Sequence, residues 1–311
     1  MSFRVTGALL TTALLAVSAI DAMAAPAAPP AAGLTPTVST VHSGTHRAHR
    51  RSARHHAPPE GGVYARNAIL LDPLTGEVLF EKNASRSVPI ASLSKLMTAL
   101  VFLEQKPDLD KQVTVNTQEL SGAGHTQLRR GEVVPLGELL HMSLMCSDNC
   151  ATRVIALESG LTPDDFIARM NTKSIELGLT GTRFVEFTGL NEHNVSTAAD
   201  IARLLHAAAN EPLLAEITTT RSYDFHTARR WHTIGNTNRL LYGRYEVLGG
   251  KTGFTRPAGY CFATWVRAQG RDLIAVVLGA PTNATRFADA VRLIQKVPPA
   301  TTTTATTTSA Q

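Results

Sequence analysis

Ser92-Leu93-Ser94-Lys95 sets a hydroxyl and an amine three residues apart. Near a helix start, positions three apart share a face, which brings Ser92 Oγ and Lys95 Nζ within reach of each other. A serine hydroxyl attacks an acyl carbon only when a base removes its proton. Lysine serves as that base once burial or a neighbouring cation lowers its pKa. The spacing points to acyl transfer through a serine ester. Alone it is a weak signal, since a chain this long holds about one S-x-x-K by chance.

Two more clusters follow. In Ser147-Asp148-Asn149, Ser147 would relay a proton to a leaving amine and Asn149 would hold a substrate amide. The bland alternative is a helix-start serine and a solvated asparagine, and about one such S-x-N is again expected by chance. Lys251-Thr252-Gly253 is rarer, at roughly a tenth of an occurrence per chain. Here Lys251 would be a second cation that depresses the pKa of Lys95. Thr252 would bind a substrate carboxylate, and Gly253 would let a substrate backbone lie close to the strand. The competing reading is an edge-strand lysine and a turn glycine. Each motif occurs once, and the three fall in the order S-x-x-K, S-x-N, K-T-G. That order is a far stronger signal than any one motif.

Such residues need rigid elements to hold them. Residues 91–104, ASLSKLMTALVFLE, are apolar on almost every face, which predicts a buried helix. Leu136 to Leu157 reads as one further helical stretch. Thr162-Pro163-Asp164-Asp165 opens a helix with a cap, a first-turn proline and acidic residues at the positive dipole end. Gly178 suits its end. Thr197 to Asp200 is a capping-box pattern ahead of IARLLHAA. Asn67 to Phe80 is a hairpin around a Pro/Gly turn, and YEVLGGKTGFT, AGYCFATWVR and DLIAVVLGA are strands. ADAVRLIQKV closes the core as a helix. Strands at both ends with helices between predict one α+β domain, its antiparallel sheet assembled from both chain ends and flanked by helices.

The chain has 311 residues, 43% of them hydrophobic, which excludes wholesale disorder. Its net charge of +5 suggests nucleic acid until the charge is located. Residues 61–296 hold 25 basic and 23 acidic residues, a net of only +2. The excess sits mostly in VHSGTHRAHRRSARHH, and the nucleic-acid reading falls with it. Arg4, the apolar run from Val5 to Ile20 and Ala22-Met23-Ala24 read as a signal peptide over residues 1–24. The Ala, Pro, His and Arg of residues 25–60 predict a disordered linker, with a metal-binding tract or a contact to anionic envelope polymer as alternatives. Residues 61–296 are the catalytic domain, and residues 297–311 a Thr-rich disordered tail. After signal cleavage no membrane span remains. Cys146, Cys150 and Cys261 are odd in number, so at least one is unpaired within a monomer, and small buried hydrophobes are the simplest reading.

The three motifs together resemble the penicillin-recognising serine enzymes, which include the D,D-peptidases and class A β-lactamases. PIASLSKLMTAL, LRRGEVVPLGELLHMSLMCSDNCA, FVEFTGLNEHNVSTAADIARLL and GGKTGFTRPAGYC are similar to the low-molecular-mass D-alanyl-D-alanine carboxypeptidase/endopeptidase group of penicillin-binding serine peptidases. Larger carboxypeptidases of that group carry a second β-domain and a membrane anchor after K-T-G. Only 58 residues follow Gly253 here, which favours the small periplasmic endopeptidase type.

The resemblance implies a serine β-lactamase/D,D-peptidase-like fold with an all-helical subregion. It implies Ser92 as nucleophile, Lys95 as base and Ser147 as proton relay. Asn149, Lys251, Thr252, Gly253 and Phe254 would bind substrate, with the N–H groups of Ser92 and Phe254 as oxyanion hole. Peptidoglycan stem peptides are the implied substrate, β-lactams the covalent inhibitors and the periplasm the location, with no metal or other cofactor and no nucleic acid. The rivals are a class A-like β-lactamase and a catalytically silent wall-binding protein. A β-lactamase would need E-x-x-L-N, whereas Glu186-Phe187-Thr188-Gly189-Leu190-Asn191 is one residue too long. His125 and Arg256 are read as packing or surface residues rather than substrate contacts.

Overall fold

The structure is a computed structural model that describes Pro59, residues 62–124 and residues 126–297. The expected signal peptide, nearly all of the linker, residues 298–311 of the tail, and His125 lie outside the described residues.

The N-terminal hairpin forms from β1 (Asn67–Leu71) and β2 (Val78–Lys82). Its turn closes because Asp72 Oδ1 accepts the N–H groups of Leu74 (2.9 Å) and Thr75 (3.2 Å). A short strand, β3 (Val88–Pro89), leads to a 3-10 turn (Ala91–Leu93) and then α1 (Ser94–Glu104). The sequence predicts a helix from residue 91. An α-helix cannot include Ala91, whose φ is +50°, and it starts three residues later. Every side chain from Ser94 to Phe102 is buried, as the all-round apolar pattern requires.

After β4 (Gln112–Thr114), α2 (Thr117–Leu120) and β5 (Val133–Pro135), the expected single helix of residues 136–157 appears as two. These are α3 (Leu136–Met145) and α4 (Asn149–Leu157). The break falls at Ser147, with φ +63°, and Asp148 caps the second helix by accepting Ala151 N–H at 3.0 Å. α5 (Pro163–Glu176) has its predicted cap, Thr162 Oγ1 accepting Asp165 N–H at 3.2 Å, and ends before Gly178 at φ +67°. β6 (Val195–Ser196) precedes α6 (Ala198–Ala209). Thr197 caps α6 by accepting Asp200 N–H at 3.0 Å, but the reciprocal half of the box is missing. Asp200 Oδ2 instead accepts from Gly181 N (2.8 Å) and Thr182 Oγ1 (2.9 Å), because tertiary donors reach it first.

α7 (Pro212–Thr219) and a second hairpin, β7 (Ser222–His226) with β8 (Trp231–Gly235), complete the helical region. The chain then lays down β9 (Glu246–Thr255), β10 (Gly259–Ala268) and β11 (Arg271–Ala280), followed by α8 (Asn283–Gln295). The main sheet is antiparallel in the order β2-β1-β11-β10-β9. Asn67 pairs with Leu278 and Leu71 with Ile274, which joins the two chain ends as expected.

Both faces of the sheet are covered, so β11 is buried along nearly its whole length. On one face α8 packs Phe287, Leu293 and Ile294 against Leu70, Phe262 and Val277. Val297, assigned to the tail by composition, is buried in this cluster, so the core runs one residue further than expected. The other face carries α6 and the larger core around α1, α3 and α4. β9 is left at the edge of the sheet, against the 3-10 turn that carries Ser92. Fold class and topology thus follow the sequence reading. The three cysteines are free, and burial pushes the thiols of Cys146, Cys150 and Cys261 up to about 11, 12 and 11. They are inert packing groups.

Candidate active site

Lys95 projects from the first turn of α1 and is fully buried. Its three ammonium donors each find an acceptor. Nζ donates to Ser92 Oγ at 3.2 Å, to Asn149 Oδ1 at 2.6 Å and to Thr188 O at 2.6 Å. One amine therefore joins S-x-x-K, S-x-N and the Glu186–Asn191 loop, to which the sequence reading assigned no contact with Lys95. Burial lowers its pKa to about 7, against the opposing charges of Glu186 and Asp148. A lysine at that value is half neutral near physiological pH.

Lys251 is also buried, at 1% exposure, and donates to Thr252 O at 3.0 Å. Burial, and then the charge of Lys95, hold it well below the ordinary lysine value. Burial is the largest cause at both amines.

Ser147 stands half-buried in the break between α3 and α4, pinned by the residue that follows it. Asp148 Oδ2 accepts from Thr126 Oγ1 (2.7 Å) and Gln127 N (3.1 Å), while Oδ1 caps α4. Asn149 Nδ2 donates to Ala123 O at 2.8 Å, which fixes the amide that faces Lys95. Thr252 shares a hydrogen bond with Thr237 (2.7 Å), and Thr237 donates through N and Oγ1 to Met145 O (3.0 and 3.2 Å). Thr237 thereby ties the K-T-G strand to the end of α3. No motif marks it in the sequence.

Two glycines grip the turn that carries Ser92. A Cβ on Gly253 would stand 3.0 Å from Ile90 O and from Ser92 N. A Cβ on Gly189, at φ +85°, would stand 1.9 Å from Ala91 O. The approach at Gly189 excludes any Cβ, while at Gly253 a Cβ would fit only if the turn gave way by a few tenths of an ångström. The Gly189 loop is held by Glu186, which accepts from Thr188 N (2.6 Å), Thr188 Oγ1 (2.6 Å) and Gly189 N (2.5 Å). Asn194, wholly buried, accepts Val185 N–H at 2.8 Å and donates to Glu186 O at 2.9 Å. Thr98 of α1 donates to Phe187 O at 2.6 Å. The carboxylate that a β-lactamase reading would assign to a water is therefore spent on its own loop.

Phe254 is 49% exposed and stacks on Tyr260 at 4.2 Å. Arg286, nearly buried on α8, donates to Gly253 O (3.0 Å) and Cys261 O (3.2 Å), and burial lowers its pKa to about 10. Arg286 lies two residues ahead of the expected helix ADAVRLIQKV, and no motif marks it. Arg256 is exposed in the turn after β9, and His125 lies outside the described residues.

Of the eight sequence-selected residues, Ser92, Lys95 and Asn149 are joined directly by these bonds, Lys251 bonds Thr252 O, Thr252 is tied to Thr237, and Ser147 lies two residues before Asn149. Gly253 and Phe254 contribute backbone beside Ser92. A serine hydroxyl on a buried, low-pKa lysine, with a second buried lysine on an adjoining edge strand, defines a serine acyl-transfer hydrolase.

Comparison with known proteins agrees. A family model described as D-alanyl-D-alanine carboxypeptidase matches residues 52–282, and the chain belongs to that family. A D-alanyl-D-alanine endopeptidase of Pseudomonas aeruginosa is 37% identical over 248 residues, covering 76% of this chain and 80% of that protein. Its Escherichia coli counterpart by name is 36% identical over 233 residues, covering 73% and 75%. Among solved structures, a Streptomyces DD-transpeptidase superposes with a TM-score of 0.71 at 28% identity, over 75% of this chain and 96% of that one. A Listeria monocytogenes penicillin-binding protein in its cefotaxime-bound form gives 0.66 at 30% identity over 75% and 96%. The protein is accordingly a serine-type D-Ala-D-Ala peptidase.

Proposed function

We propose that the chain cuts D-Ala peptide bonds in peptidoglycan stem peptides or their cross-links through an ester on Ser92. The observation that carries this reading is the triple coordination of Lys95 Nζ by Ser92, Asn149 and Thr188. Neutral Lys95 takes the Ser92 proton as Oγ bonds to the scissile carbonyl carbon. The Ser92 and Phe254 N–H groups face the oxygen that gains charge. Ser147 relays the proton held by Lys95 to the amine nitrogen as the C–N bond breaks, helped by the charge of Lys251, and water then splits the ester to free acid and serine. Asn149 and Thr252 hold the substrate.

The names of the relatives at 36–37% identity, D-alanyl-D-alanine endopeptidases, support endopeptidase action. The export signal read at the N-terminus supports a periplasmic site of action, and the domain, with a linker before it, runs on to Val297. No helix among the described residues is long and apolar enough to cross a membrane. Glu186 has no oxygen to spare for a deacylating water, so penicillins acylate Ser92 and remain as inhibitors.

The test is intact-mass measurement after incubation with fluorescent penicillin, beside digestion of cross-linked muropeptides. The wild type is expected to gain one adduct and to release monomers, and Ser92→Ala to do neither. No adduct and no product from the wild type would favour a wall-binding protein. Fast turnover of a chromogenic cephalosporin would favour a β-lactamase.

A pH profile follows from Lys95. The neutral amine is the active form, so the acylation rate should climb as pH rises through a midpoint near 7. A rate constant flat from about pH 5 to 9 would remove Lys95 from the role of base, because a group titrating at its ordinary value stays protonated throughout.

A further inference from the structure

Next to Gly253 along β9, Phe254 borders a groove that the mechanism leaves unused. It has a volume of about 560 Å³ and begins at Phe254. Tyr64, Arg66, Arg256, Tyr260 and Pro281 complete its wall. Phe254 and Tyr260, stacked with 28° between their planes, give it an aromatic face that is half open to solvent. Arg66 is committed to the protein, donating from Nη2 to Pro257 O (3.1 Å) and Ala258 O (2.7 Å). Arg256 is not: its guanidinium makes no hydrogen bond or ion pair with any described residue. The wall holds two guanidinium groups and no carboxylate. The nearest acid on α8, Asp289, is fully buried and taken by Ala65 N (2.7 Å) and Arg292 (2.6 Å).

The groove has a direction. Lys251 and Ser147 serve the leaving amine and Thr252 is the site for the substrate carboxylate, so they occupy the downstream side of the scissile bond. β9 is the edge of the sheet, and an edge strand accepts an added extended segment. A substrate that presents its carbonyl to Ser92 then carries its upstream residues past Phe254. At about 3.3 Å per residue, Arg256 stands two or three substrate residues upstream of the bond that is cut.

We propose that this groove is the subsite for an acidic residue two or three places upstream of the scissile bond. Arg256 pairs with its carboxylate, and the Phe254–Tyr260 face packs on its methylene groups. The inference rests on the acyl-enzyme reading above. It gives Arg256 a substrate contact where the sequence suggests an ordinary surface residue.

The test uses two soluble D-Ala-D-Ala peptides that differ only in whether the upstream side chain ends in a carboxylate or a carboxamide. The wild type is expected to favour the acid about fivefold in kcat/KM at low salt, as an exposed ion pair allows. The preference should shrink at about 1 M salt. Arg256→Gln should bring the ratio to about one, and Arg256→Lys should retain part of it, since it keeps the charge but not the fork. Penicillin labelling of Ser92 in each variant reports whether the cleft is assembled. Equal rates on the two peptides, or a preference that survives Arg256→Gln, overturns the subsite. A wild type that neither cleaves nor labels overturns the acyl-enzyme reading instead.

Discussion

Lys95→Arg should slow acylation of Ser92 by about a thousandfold or more, although it keeps a positive charge at the same place. A guanidinium does not lose its proton in a protein and cannot accept one from serine. Lys95→Ala should lose as much by a different route. It removes the base and also leaves Asn149 Oδ1 and Thr188 O without their donor, at a cost of about 1–3 kcal/mol each. Stopped-flow labelling with penicillin, with melting curves on the same samples, separates the two effects. Labelling of the Arg variant within tenfold of wild type would show that the site needs a charge rather than a base.

The same amine shapes stability. Its pKa is about 7 when folded and near 10.5 when unfolded, so the unfolded chain binds more protons across that interval. Stability therefore rises as pH increases from about 7 to 10.5, and at pH below 7 the full penalty of burying the ammonium is present. Lys95→Ala removes this contribution to the slope and leaves that of Lys251, which has the same sign.

Gly189→Ala should cut acylation by about a hundredfold without touching any group that reacts, since a displacement of about 1 Å at a nucleophile costs that much. Its Cβ would lie 1.9 Å from Ala91 O, 2.2 Å from Ala91 C and 2.9 Å from Ser92 N, all backbone atoms. The left-handed conformation adds about 1–2 kcal/mol of strain for any residue with a Cβ. Gly160→Ala is the control. Gly160 also has positive φ, +88°, but nothing lies within 4 Å of its would-be Cβ. It should lose a little melting temperature and label normally. Normal labelling by Gly189→Ala as well would mean that the loop does not set the position of Ser92.

Much of this site could be read from residue types and order, because Ser92, Lys95, Ser147, Asn149 and Lys251 carry distinctive groups at short spacings. The strands and α1 were legible for a similar reason, since burial on one face or on all faces leaves a period in the sequence. Glu186, Asn194 and Gly189 were not legible as a clamp. Their role comes from a loop meeting the turn at Ala91, and no local pattern encodes that meeting. The break at Ser147 was hidden because apolar residues on both sides keep a helical period across it. Thr237 and Arg286 reach the K-T-G strand only through the tertiary fold.

The joining of the two chain ends sets an order in time. β1 is synthesised early, yet its central neighbour β11 is completed only at Ala280, near the end of the domain. Pairings so distant along the chain form late and slowly. Until they do, β9 has no completed sheet behind it from which to press Gly253 against the turn of Ser92. A half-made chain thus carries the nucleophile and its lysine without the scaffold that arms them, and cutting power arrives only with a finished molecule.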